Sequence, residues 1–517
     1  MSAGTSSQTS AGASPYLTGG ALFGTIFLLA LANFMAVLDL TIVNVAVPHI
    51  AGSLAVSPNE GTWVITSYAV AEAITVPLSG WLAARFGAVR IFSIAAVSFG
   101  ICSLLCGLAP SLSMLIIFRV MQGLSGGPLM PMSQTLLMRV TPPKQVQMGL
   151  GIQTMTTIIA PIAGPVLGGM LTDTVGWPWA FYINVPLSIF VAFSVWQLLR
   201  NREVATVRAP IDYIGLGLLV LWIGALQVML DNGQDDDWFA SPFIVTLAIT
   251  AVIGFVAFLI WELTAEHPIV DLTIFANRTF AVMSVAMALA FGSFFATIVL
   301  IPLWLQTNMN YTATWAGNVT AFQGVLGVAM APVAAFLVSR VDPRLLMSTG
   351  LALLAGITLY RTGFAQNITY WQLVLPQVLT GLGIPLFFIP LMGLSIASVP
   401  PAKTASAAGL VSFIRTMSGA FGTALVTTGW DQATTNARVN LAGNLHQPHV
   451  VLDTMQASGL SAAQALQTLG DMVQSQAVMI ATNRMFMVLA VIIAIVAAGV
   501  WLSPKPKDAV ALGAGGH

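Results

Sequence analysis

Ala21 to Val43 reads ALFGTIFLLALANFMAVLDLTIV and carries one charged side chain, Asp39. A bilayer crossing takes about 20 predominantly apolar residues, so this run predicts a membrane-spanning helix with an acid inside it. Runs of the same kind follow one another as far as Trp501. Composition agrees: 57% of the 517 residues are hydrophobic and 7% are charged, against roughly 25% charged in a soluble domain. So few charges cannot cover a water-facing surface, and no stretch is left for a conventional soluble domain. The formal net charge is zero, which sets nucleic acid aside as a partner, because phosphate contacts need clustered Lys and Arg. Cys102 and Cys106 stand one helical turn apart in an apolar run; they read as helix packing, being too few for a disulfide framework and without further zinc ligands. Residues 1–20 lack the basic region of a cleaved signal peptide and read as a disordered cytoplasmic tail.

Breaks of charged, Pro or Gly residues divide the chain into fourteen spans, at roughly 21–43, 61–83, 91–109, 112–137, 146–171, 180–199, 212–230, 241–262, 279–304, 312–338, 345–362, 370–396, 404–428 and 484–503. With both termini cytoplasmic, one side receives Arg85, Arg90, Arg139, Lys144, Arg200, Arg202, Arg208, Arg278, Arg340, Arg344, Lys403, Lys505 and Lys507. The other receives Arg361, Arg438 and Arg484, and it collects Asp231, Asp235, Asp236 and Asp237. That imbalance follows the positive-inside rule, and moving the count by one span would scramble it.

The chain repeats itself weakly. Gly123-Leu124 is followed by Pro142-Pro143, and Gly381-Leu382 at the same spacing by Pro400-Pro401; each prolyl pair is trailed by a lysine and then by Gly-Leu. Two parallel halves are implied, an arrangement in which substrate binds between the halves near the midplane. The expected organisation is a six-helix bundle at 21–205, an inserted two-helix linker at 206–270, a second six-helix bundle at 271–503 and a cytoplasmic tail at 504–517. An external connection at 429–483 carries Val451, Met455, Leu460 and Leu466 at a spacing that permits an amphipathic helix. It reads equally as a packed cap or as a docking surface for a periplasmic partner.

Asp39, Glu72, Arg119 and Arg415 fall well inside spans. A charge at the bilayer centre costs about 2.5–3.5 kcal/mol or more, so each must line a cavity, find a partner or be neutralised. An acid whose contacts with water and cations change between two conformations gains and loses a proton, which is a coupling device. Glu72 shares a helical stripe with Tyr68, Thr75 and Ser79, expected to face the cavity; the other reading is a helix-helix hydrogen bond. Asp39 is a second coupling candidate or an anchor near the external interface. Arg119, with Gln122, Gly123 and Gly126 on its face, is a proton relay or a structural ion pair, since glycines let a neighbouring backbone approach a guanidinium. Arg415, beside Ser412, Gly419 and Gly422, reads as structural ahead of a coupling role. Tyr68, Gln122, Gln153, Phe322 and Gln323 are candidate cavity residues. The ridge from Ala160 to Gly169, APIAGPVLGG, combines close packing with two bend-forming prolines, which suits a gate. His49 and His267 read as loop or interface residues. No lysine follows a glycine, so the phosphate-cradling GxxxxGK[ST] loop is absent, and no HExxH or CxxC pattern points to an intramembrane enzyme.

Taken together these motifs resemble the fourteen-span drug:proton antiporters of the major facilitator superfamily, the EmrB/QacA group, with the EmrB branch nearest. Leu38 to Pro48 is similar to the group's first-span motif, and Gly80-Trp81-Leu82-Ala83-Ala84-Arg85-Phe86-Gly87 to the superfamily's loop between spans two and three, with Arg90 beyond it. Arg119 to Gly127 resembles the fourth-span motif whose arginine is implicated in proton transfer. Ala160 to Gly169, with Gly164, Pro165, Gly168 and Gly169, resembles the fifth-span antiporter motif, and Trp177 to Pro186 a stretch typical of the EmrB branch. Ala84 stands where the loop motif usually has an acid, and Ala160 where the antiporter motif starts with Gly. The resemblance implies an all-α major facilitator fold and a secondary transporter rather than an enzyme, with protons as coupling ion and no cofactor. It also implies a bacterial inner-membrane location, export of hydrophobic drugs, and work with an EmrA-type membrane fusion protein and an outer-membrane channel. A dedicated exporter of a fatty acid or siderophore, a membrane sensor or scaffold, and an uptake symporter are the rivals. Substrate charge stays open: buried carboxylates favour cations, whereas the EmrB branch is associated with weakly acidic lipophiles.

Overall fold

The computed structural model describes residues 16–203, 206, 210–445 and 448–505. Most of the expected 1–20 and 504–517 tails, together with Arg208 and Lys507, lies outside them. Fourteen long helices run through the described residues: α1 (Gly19–Ser53), α2 (Pro58–Phe86), α3 (Ala88–Gly107), α4 (Leu112–Val140), α5 (Val146–Thr174), α6 (Trp179–Arg202), α7 (Tyr213–Asn232), α8 (Pro242–Thr264), α9 (Arg278–Asn308), α10 (Ala313–Val338), α11 (Pro343–Arg361), α12 (Tyr370–Ala397), α13 (Thr404–Gly443) and α14 (Ala462–Gly499). Twelve are long and apolar enough to cross a membrane, and α5 makes thirteen as a helix bent by 46° between Pro143–Pro161 and Val166–Thr174. The fourteenth, α2, is 29 residues long; Glu72 and the Thr, Ser and Tyr residues around it make it less apolar than the rest.

Local chemistry sets the ends. Ser57 and Glu60 form a capping box ahead of Pro58, Ser461 and Gln464 form another at α14, and Asp342 accepts from the Arg344 backbone at the start of α11. Such caps satisfy amide donors that the first turn leaves without partners. The α2–α3 turn passes through Gly87 at φ 93°, a conformation other residues rarely adopt.

Each half has its own apolar centre, around Leu29, Phe92, Phe99 and Leu136 in the first and Trp304, Phe364 and Phe486 in the second. The halves meet along α2 with α13 and α5 with α10. At one end these seams are tight: a side chain on Gly80 would lie 2.6 Å from the Cα of Ser406, and one on Gly409 2.5 Å from the Ser79 hydroxyl. The inserted pair α7–α8 lies against this junction, with Trp222 edge-on to Phe255 and Phe413.

The connection at 429–483 departs from expectation. Both flanking helices continue into it, α13 to Gly443 and α14 from Ala462, with a short helix, Pro448–Ala457, between them. No single helix joins Val451 to Leu466, because the chain turns at Gly459 (φ 101°); Val451 and Met455 ride the short helix and Leu466 is exposed on α14. At 40 residues, α13 is about 60 Å long, twice the roughly 30 Å hydrocarbon core, so it projects well beyond it.

Candidate functional site

Asp39 lies at the centre of a sealed polar network in the first half. Its Oδ2 accepts from Arg119 Nη1 at 2.6 Å, and its Oδ1 from Gln122 Nε2 at 2.9 Å and Asn184 Nδ2 at 2.7 Å. Arg119 also donates to Gln122 Oε1 (2.8 Å) and, through Nε, to the Val64 carbonyl (3.0 Å), and its guanidinium lies 4.2 Å from the Tyr68 ring centre. Asn184 donates to Ser103 Oγ at 3.3 Å, and Ser103 to the Phe181 carbonyl at 2.8 Å. The network therefore ties α1, α2, α3, α4 and α6 together. Asp39, Arg119, Gln122 and Asn184 are fully buried. Helical spacing places Arg119 and Gln122 on one face, and Gly123 beside them lets the Tyr68 backbone come into contact. Tyr68 and Gln122, expected on the cavity, instead belong to this packed interior.

The stripe above Glu72 also faces differently from the expectation. Thr75 donates to the Ala71 carbonyl (3.0 Å) and approaches that of Gly123 (3.5 Å), and buried Ser79 abuts Gly409. Glycines opposite Thr75 and Ser79 make those polar groups contact points between helices; a stripe read from one helix cannot say which neighbour covers it. Glu72 alone of the stripe remains partly accessible. It lies within electrostatic reach of Arg415 on α13 and, more weakly, of Asp39 and Arg119, without direct contact with Arg415. Arg415 lines a small cavity between the halves with Asn33, Gln134, Gln153, Phe388 and Met392. There Gln153 donates to Ser133, and Ser133 to Asn33, while Oε1 of both Gln134 and Gln153 has no partner. Phe322 packs edge-on to Trp371, centroids 6.4 Å apart, and Gln323 lines a second small cavity inside the other half.

In the α2–α3 turn, Arg85 lies 5.4 Å from the Trp81 ring and 5.6 Å from that of Phe86. The carboxylate of Glu203, just past α6, accepts from the Arg90 backbone amide at 3.0 Å and crowds Gly87. An acid thus sits at the start of α3, where the helix dipole favours one, although position 84 carries Ala. On α5, Gly164 lies against Thr41, whose hydroxyl donates to the Ala160 carbonyl (3.3 Å), and Gly168 against the Ile42 carbonyl. Gly169 has open space beside it, so only part of the ridge packs; the Pro165 side chain lies outside the described residues.

Three buried groups escaped sequence reasoning. Asn184 was legible only as a polar residue within the Trp177–Pro186 stretch. Glu262, 4% exposed, accepts from the Val270 amide at the end of α8. Arg361, expected among the external loop charges, is 2% exposed and donates to Thr380 Oγ1 (2.8 Å), Gln377 Oε1 (3.3 Å) and the Pro376 carbonyl (3.3 Å). It ends an apolar run just before Thr362-Gly363, which looks like a loop; its acceptors lie on α12, out of sight in the primary structure.

The arrangement, two helical halves with buried charges beside the seam, is that of a transporter. Known proteins agree. The chain is 42% identical over 478 residues to the Multidrug export protein EmrB of Haemophilus influenzae, covering 91% of this chain and 94% of that one. It is 39% identical over 506 residues to EmrB of Escherichia coli strain K12 (97% and 99%) and 40% identical over 507 residues to the Fatty acid resistance protein FarB of Neisseria gonorrhoeae (97% and 99%). Among solved structures, the proton:xylose symporter XylE superposes with a TM-score of 0.59 at 13% identity, covering 94% of this chain and 96% of that one. Residues 29–423 match the Major Facilitator Superfamily pattern, and with the fold and these relatives in agreement the chain belongs to that superfamily.

Proposed function

We propose that the chain exports hydrophobic small molecules across a bacterial inner membrane by alternating access, driven by protons moving the other way. The observation that carries this reading is the placement of Glu72 on α2 and Arg415 on α13, opposite charges on the two sides of the seam, with Arg415 facing the cavity. Protonating Glu72 removes its attraction to Arg415 and loosens closure there. Asp39 is the second candidate: sealed against Arg119 in this conformation, it can take a proton only once the network opens, and a proton then releases the guanidinium. Each proton crossing 100 mV supplies about 2.3 kcal/mol, roughly fifty-fold accumulation, without any cofactor.

Substrate-induced proton release from reconstituted vesicles under an imposed pH gradient tests this, comparing the parent with Glu72→Gln and Asp39→Asn. Loss of coupled flux in either variant, with substrate still bound, supports the assignment; full coupling in both removes it. A dedicated fatty-acid exporter is the second reading, favoured by the 40% identity to a relative named for fatty acid resistance. The projecting parts of α13 and α14, with Val439, Leu466 and Met472 exposed, suit contact with a periplasmic membrane fusion protein leading to an outer-membrane channel. The distribution of Lys and Arg supports cytoplasmic termini.

A further inference from the structure

The inserted pair does not close fully against the seam between the halves. Between α7–α8 and the seam helices α2 and α13 lies a cavity of about 380 Å³, lined by thirteen described side chains that are all aliphatic, aromatic or proline. Leu219 of α7, Leu259 of α8, Pro77 of α2 and Phe413 of α13 give its walls, and Phe275 comes from the α8–α9 connection. The one polar side-chain atom in this lining, Trp222 Nε1, is buried without a partner. A single donor cannot hold a water, which needs two to four partners. A dry apolar cavity of about 150 Å³ takes up benzene, so this one has room for roughly a dozen carbons.

The cavity opens on the outside of α8. Phe255 and Leu263, both in the lining, are 40% and 66% exposed, and Val252, Ile253 and Ile260 beside them are exposed as well. On a helix long and apolar enough to cross a membrane, such a face meets hydrocarbon. The depth is that of one leaflet. Trp222 is nine residues from the start of α7 at Tyr213, and Phe255 nine from the end of α8 at Thr264. At 1.5 Å per residue that is about 14 Å, half of a hydrocarbon core about 30 Å thick. Arg278 and Lys403 stand at the same end, at the starts of α9 and α13.

The inner wall is the seam itself. Pro77 and Leu410 flank a close approach of α2 and α13, where a side chain on Gly409 would lie 3.2 Å from the Val76 carbonyl. The walls from the two halves therefore face one cavity only while those helices are together.

We propose that this cavity holds one acyl chain of a phospholipid from the adjoining leaflet as a resident ligand, and that the chain favours the conformation in which α2 and α13 meet. A ligand shifts an equilibrium by its differential affinity for the two states, and parting the helices separates the Pro77 wall from that of Leu410 and Phe413. Among the described residues this cavity shares no lining side chain with the one Arg415 lines between the halves. The occupant is thus a fixture rather than cargo, and the inference stands apart from the exporter reading.

Native mass spectrometry of the full chain, washed in mild detergent, tests the first part. The parent is expected to keep one phospholipid per chain. Leu259→Trp, which fills the cavity, is expected to lower the lipid-bearing fraction at least tenfold. Leu263→Asp puts a charge at the exposed mouth; it is expected to lower that fraction several-fold and covers the case in which Leu259→Trp fails to fold. Val252→Trp, on the exposed face of α8 outside the lining, is expected to change nothing. A parent without lipid, a retained mass other than a phospholipid, a lipid-free dimer, or a loss in Val252→Trp equal to that in the cavity variants would overturn the proposal. Undiminished retention in Leu259→Trp, or in Leu263→Asp if Leu259→Trp does not fold, does the same. Thiol labelling of a Ser406→Cys variant tests the second part: adding palmitoyl-oleoyl phosphatidylethanolamine to the delipidated chain is expected to slow labelling at least threefold, and to leave it unchanged when Leu259→Trp or Leu263→Asp is also present. An unchanged rate without the cavity substitution, or equal slowing with it, refutes the coupling to the seam.

Discussion

Replacing Asp39 by asparagine keeps the side chain's shape and removes its charge. In the parent, Asp39 accepts three hydrogen bonds, from Arg119, Gln122 and Asn184, all within 2.9 Å and all fully buried. Asparagine offers one accepting oxygen, and its NH2 would confront at least one of those donors. The Arg119 guanidinium would be left inside the bundle without a counter-ion. Removing one partner of a buried ion pair costs about 3–5 kcal/mol, a factor of roughly a hundred to several thousand in the folding equilibrium. Replacing both partners by neutral groups is often close to neutral. Asp39→Asn is therefore expected to destabilise strongly, and adding Arg119→Gln to recover about 2 kcal/mol or more of the loss. Equilibrium unfolding of the four proteins, read by tryptophan fluorescence, measures the coupling as a double-mutant cycle. If Asp39→Asn stays within about 1 kcal/mol of the parent, or if the two changes simply add, the network does not hold the half together through this ion pair and the reasoning fails.

Three further outcomes are expected. Gly164→Val should destabilise α1–α5 packing, because its side chain would collide with Thr41, whereas Gly169→Ala, with open space beside it, should be neutral or gain up to about 1 kcal/mol from helix propensity; thermal midpoints decide. Gly80→Val should hold α2 away from Ser406 and favour the conformation open at that end, seen as faster thiol labelling of a cysteine placed at Ser406; unchanged labelling would refute it. The Lys403–Asp271 pair, at 2.7 Å, fastens the α8–α9 connection to the start of α13. Burial pushes the Asp271 carboxyl up, but Lys403 and Thr273 outweigh it and hold it below its usual value. A lowered folded pKa gives stability that is present above the unfolded value of about 3.9 and lost as pH falls through the folded one. Lys403→Met should thus cost at most about 1 kcal/mol near pH 6, a cost that shrinks as pH falls below about 3.9 and vanishes below the folded value, in paired unfolding titrations.

Much of the architecture was legible before folding. Apolar runs of membrane length, the Lys and Arg asymmetry and the Gly-Leu to Pro-Pro repeat depend only on transfer free energy and local order, so they survive in one dimension. Charges such as Asp39, Glu72, Arg119 and Arg415 announce themselves because bilayer interiors penalise them wherever they point. What the tertiary structure alone decided is which neighbour each group meets. Asn184 and Arg119 converge on Asp39 from helices far apart in the chain, and Tyr68 and Gln122, which looked like cavity residues, close over them. Thr75 and Ser79 turned to glycines on neighbouring helices, leaving Glu72 at the accessible position, while Arg361 passed for a loop residue until α12 brought Gln377 and Thr380 to it. Helical periodicity tells which residues share a face; only packing tells whether that face meets lipid, a cavity or another helix, because contacts depend on distances that sequence spacing does not contain.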